Sequence, residues 1–251
     1  MWIRSLRGYS ANEAYTPLPP KVCKIFKAKT LGPDLRFGCT NRCAKVQDEM
    51  SDAGLIQIVD AALADAVRRS GDWLVCRAGC SQCCYGVFEI TALDAARLGG
   101  GMEELERIDP ERAARVRARV ESARARLEPW FPGNLATGAL TGTEEEIELF
   151  EEFAHADACP LLDPETQSCD VYEARPILCR TFGPPIRNEG AEEEGGLAIC
   201  ELNFVGATPE EIAAAEMDSG FRAREGELEE AFAREHPAAG RTIVAFALRA
   251  G

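Results

Sequence analysis

The sequence predicts a mainly α-helical single domain with irregular cysteine-bearing loops and few short strands. Three observations carry this. Apolar residues recur at three- and four-residue steps over several long stretches, as on one face of a helix. The cysteines fall between those stretches, beside Gly79, Ser81, Pro160, Pro164 and Gly183, which favour turns. Hydrophobic residues make up 46% of the 251, enough to bury a core without cysteine staples.

The first helix is expected from Ser51. Leu55, Ile58, Val59, Ala62, Leu63, Ala66 and Val67 make one apolar face, with Ser51 or Asp52 as N-cap and Gly71 past the end. VFEIT, residues 87–91, suits a short strand or the entry to a helix at Thr91. Residues 91–98 and 102–128 read as two helices broken at Gly99-Gly100-Gly101, the second burying Leu105, Ile108, Val116, Val120 and Leu127. Its seven arginines from Arg107 to Arg126 suggest a phosphate-binding face or, more simply, a solvated face paired with Glu103, Glu104, Glu111 and Glu121. A Pro/Gly-rich loop at 129–142, a short acidic helix at 144–154 and an acidic loop at 189–196 follow. Residues 208–235 read as a helical tail, opened by Thr208-Pro209-Glu210-Glu211 as cap, first-turn proline and capping-box glutamate. TIVAFAL, residues 242–248, is a closing strand or a last helical turn. The expected division is a basic, disordered arm at 1–45, a cysteine-cluster metal-binding domain at 46–205, and a helical tail at 206–251 packed on it.

Charge narrows the partners. Residues 1–45 carry nine Lys/Arg and two acids, whereas the rest carries 19 basic and 40 acidic residues. An acidic body is a poor partner for nucleic acid, whose binding rests on neutralising phosphates. No apolar run approaches the length of a membrane span, and no secretory signal stands at the N-terminus, so a cytoplasmic protein is expected. In that compartment thiols stay reduced and free to ligate.

Eight of the eleven cysteines form two groups: Cys76, Cys80, Cys83 and Cys84 in CRAGCSQCC, then Cys159, Cys169, Cys179 and Cys200. Cys23, Cys39 and Cys43 stand apart in the arm. Thiolates at such spacing suit zinc or the irons of a cluster. Adjacent side chains of an extended segment point to opposite faces, so Cys83 and Cys84 would serve two centres more easily than one. Histidine is scarce: His155 lies four residues before Cys159, and His236 lies in the tail. An all-thiolate shell favours an iron–sulfur centre, [4Fe–4S] above all, or structural zinc over a hydrolytic zinc site. Arg77, Arg175 and Arg180 abut cysteine positions, where they would offset thiolate charge.

The segment CPLLDPETQSCDVYEARPILCRTFG, together with CRAGCSQCC, resembles the YkgJ-type cysteine-cluster family, described as a zinc- or iron-chelating domain. The match is carried by Cys159, Pro160, Leu162, Asp163, Cys169, Tyr172, Arg175, Pro176, Cys179 and Arg180, and covers about residues 73–205. Two departures are visible: a three-residue gap after Cys76, and Glu201 in place of a proline after Cys200. The resemblance implies metal binding through the cysteines. A relative in that family, flagellin lysine N-methylase, implies an iron–sulfur centre with S-adenosylmethionine.

Three functions follow from this pattern. The first is a metal-binding protein with an iron–sulfur centre and no assigned reaction. The second is an enzyme that modifies a protein substrate with S-adenosylmethionine. Cys76-x3-Cys80-x2-Cys83 has the spacing of radical enzymes of that class, but Gln82 replaces the usual aromatic and no series of βα units follows. The third is a zinc-stapled module that binds a protein partner. If no metal were held, Cys80-x2-Cys83 would suit disulfide exchange.

Overall fold

The computed structural model describes residues 51–140, 142–143, 156–187 and 197–248. The expected arm at 1–45 with its three cysteines, the helix at 144–154, His155 and the loop at 189–196 lie outside the described residues. The described part is mainly α, with strands of two residues in three separate antiparallel pairs.

Helix α1 spans Asp52–Ser70. The Ser51 side chain accepts from the Gly54 N–H, and Gly71 ends the helix with φ +51°. It buries Leu55, Val59 and Ala66 against Ile177, Ile186, Met217 and Phe221. Strand β1, Glu89–Ile90, leads into α2, Ala92–Ile108, whose first turn is capped by Thr91.

The triple glycine does not break α2, contrary to the sequence expectation. The break falls about two turns later, where Pro110 opens α3 (Pro110–Leu127) and the Asp109 side chain caps the Arg112 N–H. Gly101 faces the 3-10 turn Tyr172–Ala174 so closely that a Cβ there would overlap the Ala174 Cβ, whereas Gly99 and Gly100 meet nothing. The helix thus tolerates glycine because tertiary contact at Gly101 outweighs its poor helix propensity, about 1 kcal/mol. Ile108, expected in the core, is 61% exposed. Leu105, Val116, Val120 and Leu127 are buried as expected. Each fully buried Val or Leu contributes about 1.5–3 kcal/mol, so this stripe rather than the surface ion pairs holds α3 down.

The cysteine-bearing segment contributes β2 (Leu162–Asp163), β3 (Ser168–Cys169), α4 (Ile177–Thr181), β4 (Ile186–Arg187) and β5 (Leu197–Ala198). The tail is two helices rather than one. Helix α5, Pro209–Ala214, has the expected capping box, and α6 spans Phe221–Glu235. The chain leaves the helix to bury Met217, whose N–H donates to the Pro185 carbonyl at 2.7 Å. Arg69 receives the carbonyls this frees, donating to Ala214 and Glu216 at 2.7 and 2.8 Å. TIVAFAL is both of its expected alternatives. Thr242–Ile243 forms β6 beside β1, and Val244–Ala247 forms the short helix α7.

Glu225 and Glu229 on α6 face Asp94, with Arg97 and Arg222 near Glu225 and Arg241 and Glu89 near Glu229. Burial, and then the negative charges of Glu229 and Asp94, push the Glu225 carboxyl up to about 7. The folded state therefore holds this proton more tightly than the unfolded chain. Its contribution is intact below the unfolded value and is lost as pH rises toward 7. Glu225→Gln is expected to flatten the decline of the urea midpoint between about pH 4.5 and 7, measured against wild type. Gly101→Ala is expected to destabilise by about 1–3 kcal/mol through overpacking. Gly99→Ala is expected to stabilise by about 0.5–1 kcal/mol, both read from urea unfolding.

Candidate metal centre

The first cysteine loop is built by local turns. The Cys80 N–H donates to the Arg77 carbonyl at 2.9 Å, and Gly79 supplies the φ of +83° between them. Cys83 and Cys84 lie in the 3-10 turn Gln82–Cys84, with the Cys84 N–H on the Ser81 carbonyl at 2.8 Å. This replaces the expected extended geometry with a turn in which the two neighbouring thiols act on each other. The turn then pairs with the second segment. Cys159 N–H donates to the Cys84 carbonyl at 2.7 Å, and Gly86 N–H to the Asp157 carbonyl at 2.9 Å. Ser81 Oγ reaches Gln167 Oε1 at 2.6 Å, across from the turn between β2 and β3.

The second segment wraps its own sulfurs with backbone amides. After Cys159-Pro160 the chain turns, the Leu162 N–H donating to the Cys159 carbonyl at 2.9 Å, and the Leu161 amide lies where it favours the Cys159 thiolate against its burial. Strand pairing sets Cys169 opposite Leu162, and the Val171 N–H donates to the Cys169 thiol. Cys179 rides on α4, whose first amide, Ile177 N–H, donates to Asp94 Oδ1 at 3.2 Å. Cys200 is buried, with its N–H directed at the Gly183 carbonyl at 3.4 Å.

The thiols act on one another across these segments. Burial raises the Cys76 thiol. An Asn203 hydrogen bond opposes that rise, and the charges of Cys80, Cys200 and Cys83 add to it. Cys84 is raised first by donating to Cys83, then by burial and by the charges of Cys83, Cys159 and Cys179. Cys83 is correspondingly lowered, so this pair gives up one proton readily and resists losing the second. Burial pushes Cys159 up to about 12, and raises Cys169 and Cys179, with neighbouring thiols adding to the rise at Cys159 and Cys179. Cys83 is the thiol common to both neighbourhoods, Cys76–Cys80–Cys200 on one side and Cys84–Cys159–Cys179 on the other. Among the described residues, no three His, Cys, Asp or Glu side chains are gathered into the tight geometry that a metal ion takes. His236 is packed on Phe232, at 4.4 Å between ring centroids.

The arginines divide. Arg175 is 8% exposed, lies over the Tyr172 ring at 3.7 Å, and has no hydrogen-bond partner at Nε. Its charge favours ionisation of Cys83 and Cys169. Arg180 instead directs its fork away from the thiols. It binds both Asp60 oxygens at 2.7 and 2.8 Å and the carbonyls of Glu173 and Arg175, tying the cysteine segment to α1. Arg77 is exposed and contributes its backbone carbonyl to the loop.

Several residues unremarked in the sequence also shape the site. Asn203 accepts from Val75 N–H at 3.0 Å and donates to the Gly183 carbonyl at 2.8 Å and to Cys76 Sγ at 3.4 Å. Gly183, at φ +132°, leaves room there, since a Cβ would meet Cys76 Sγ at 3.2 Å. The arginines of α3 are neither a phosphate face nor merely a solvated one. Arg112 and Arg119 both hold the buried Asp170, Arg119 also takes the Pro160 carbonyl at 2.9 Å, and Arg126 takes Asp157 at 2.6 Å. Their seven-residue spacing was the available signal, because it puts all three on one helix face. A cleft of about 450 Å³ opens beside the thiols of Cys83, Cys179 and Cys200.

The helical scaffold brings thiols from separate segments, Cys83, Cys179 and Cys200, to one cleft. Residues 75–195 match the family model described as "CxxCxxCC: Putative zinc- or iron-chelating domain". Cys200 and Asn203 fall beyond it. Comparison with curated proteins and with solved structures finds no match. No helix among the described residues is long and apolar enough to cross a membrane.

Asn203→Ala would strand the Val75 N–H, costing about 1–3 kcal/mol if left unpaired, and leave the Gly183 carbonyl with only the Cys200 N–H. The expected outcome is a lower urea midpoint together with faster alkylation of Cys76, read by mass spectrometry.

Proposed function

We propose that thiols drawn from Cys76, Cys80, Cys83, Cys84, Cys159, Cys169, Cys179 and Cys200 hold an iron–sulfur centre, four of them to a [4Fe–4S] core, in preference to zinc. The observation that carries this reading is the mutual proximity of thiols from both cysteine groups, with Cys83 common to them. The donor chemistry fits. The neighbourhood is rich in thiols, backbone amides donate to Cys159 and Cys169, and the Asn203 amide donates to Cys76. Such N–H···S bonds withdraw charge from sulfur and are among the features that tune iron–sulfur centres. Arg175 supplies the counter-charge that buried thiolates need, and its own charge gains a partner when they ionise. Arg180 positions the segment between Cys169 and Cys179 without facing the metal.

Loading would draw the sulfurs closer by side-chain rotation and displace their protons. Because burial raises several of the thiols, protons compete with metal, and affinity rises with pH. A radical S-adenosylmethionine enzyme needs a series of strand–helix units after its cysteine motif. Among the described residues the strands are two residues long and pair only in twos, which supports metal binding without that chemistry. The expected division into an arm, a cysteine domain at 46–205 and a tail belongs to the same reading, and so does the cytoplasmic setting that would keep the thiols reduced.

Protein purified without air is expected to be brown, with broad visible absorption, and to contain iron and acid-labile sulfide. Colourless protein with stoichiometric zinc would overturn the iron reading, and protein with neither metal would overturn both. Cys84→Ala is expected to abolish the visible band, and Arg175→Gln to retain it with a shifted reduction potential.

A further inference from the structure

The cleft beside the thiols has a composition that metal binding alone does not require. Its volume of about 450 Å³ lies within the range of small-ligand sites. Tyr85, Phe88 and Phe182 form its aromatic walls, while Cys83, Cys179 and Cys200 open onto it from the metal centre. Tyr85 and Phe182 remain 46% and 47% exposed, so apolar ring surface faces water at the mouth. Glu201 is the single charged side chain in the lining, and no Lys, Arg or His joins it among the described residues. Arg175, the buried cation nearest in chemistry, lies over Tyr172 and is not part of this lining.

The charges in the cleft have one sign. A four-thiolate site around a divalent ion or a doubly charged cluster core carries a formal −2, and Glu201 adds to it. In a partly water-excluded cleft such a field attracts cations and repels anions. Aromatic faces have the same preference, since their quadrupole presents negative charge to a ligand.

We propose that this cleft binds a small organic cation, an ammonium or sulfonium on an apolar stem. The stem lies on the aromatic walls and the charge is directed at the thiolates and Glu201. This inference rests on the metal–thiolate reading above, which supplies most of the negative charge.

Calorimetric titration of anaerobically purified protein tests it, with hexyltrimethylammonium, hexyldimethylsulfonium, hexanol and hexanoate as probes and metal content measured on the same sample. The expected result is at least tenfold tighter binding of one or both cations than of hexanol, with hexanoate weakest. The ratio of the two cations tells ammonium from sulfonium. Phe182→Ala is expected to weaken the cations at least fivefold. Glu201→Gln, at an exposed position, is expected to lower the cation-to-alcohol ratio while leaving hexanol unchanged. Metal-loaded protein that binds cation and alcohol equally, or prefers hexanoate, overturns the proposal. Metal-free protein that still prefers the cation overturns only the metal reading, and metal-free protein with no preference overturns both.

Discussion

The buried carboxylate of Asp170 holds the site to its scaffold. It follows Cys169 directly, and it is bound by Arg112 and Arg119 from a helix that contains no cysteine. A carboxylate taken out of water without such partners would cost several kcal/mol. The same helix also reaches the Pro160 carbonyl and Asp157, on either side of Cys159. Three arginines thus fix the register of the second cysteine segment, and the backbone bonds from Cys159 and Gly86 then fix the first. Arg180 and Asp60 repeat the device from α1, fastening the stretch between Cys169 and Cys179.

This arrangement separates two duties that compete in a metal site. Burial of the thiols shields a centre from water but disfavours the charged sulfurs that must bind it. Amides of Leu161 and Val171 and the side chain of Asn203 lie where they offset that penalty. Arg175 adds a full charge at the price of its own desolvation, partly offset by its stacking on Tyr172. The anchoring pair of Arg112 and Asp170 also acts on the neighbouring Cys169 thiol, which Asp170 raises and Arg112 lowers, so scaffold and thiol charges are coupled there.

The helical character and the two cysteine groups were legible because both are local patterns. The face of α1 and the caps at Ser51 and Thr208 follow from residues three and four apart. What was not legible depended on distant partners. The triple glycine read as a break because propensity knows nothing of Ala174, against which Gly101 packs. The tail read as one helix because nothing local shows that Met217 is buried beside Pro185. Cys83 and Cys84 read as diverging because an extended backbone was assumed, whereas Ser81 closes a 3-10 turn around them. Arg180 looked like a neighbour of thiols from sequence adjacency alone. On a helix, its side chain leaves on a different face from that of Cys179.

The Asn203 clamp bears on the order in which the site is made. Its amide completes the backbone pairing of Val75, which lies 128 residues earlier in the chain. A ribosome adding about 5–20 residues per second takes roughly 6–25 s to cover that distance. Throughout that interval the first cysteine loop exists without the group that closes it over Cys76. The first cysteine loop can therefore reach its closed form only after residue 203 has been made.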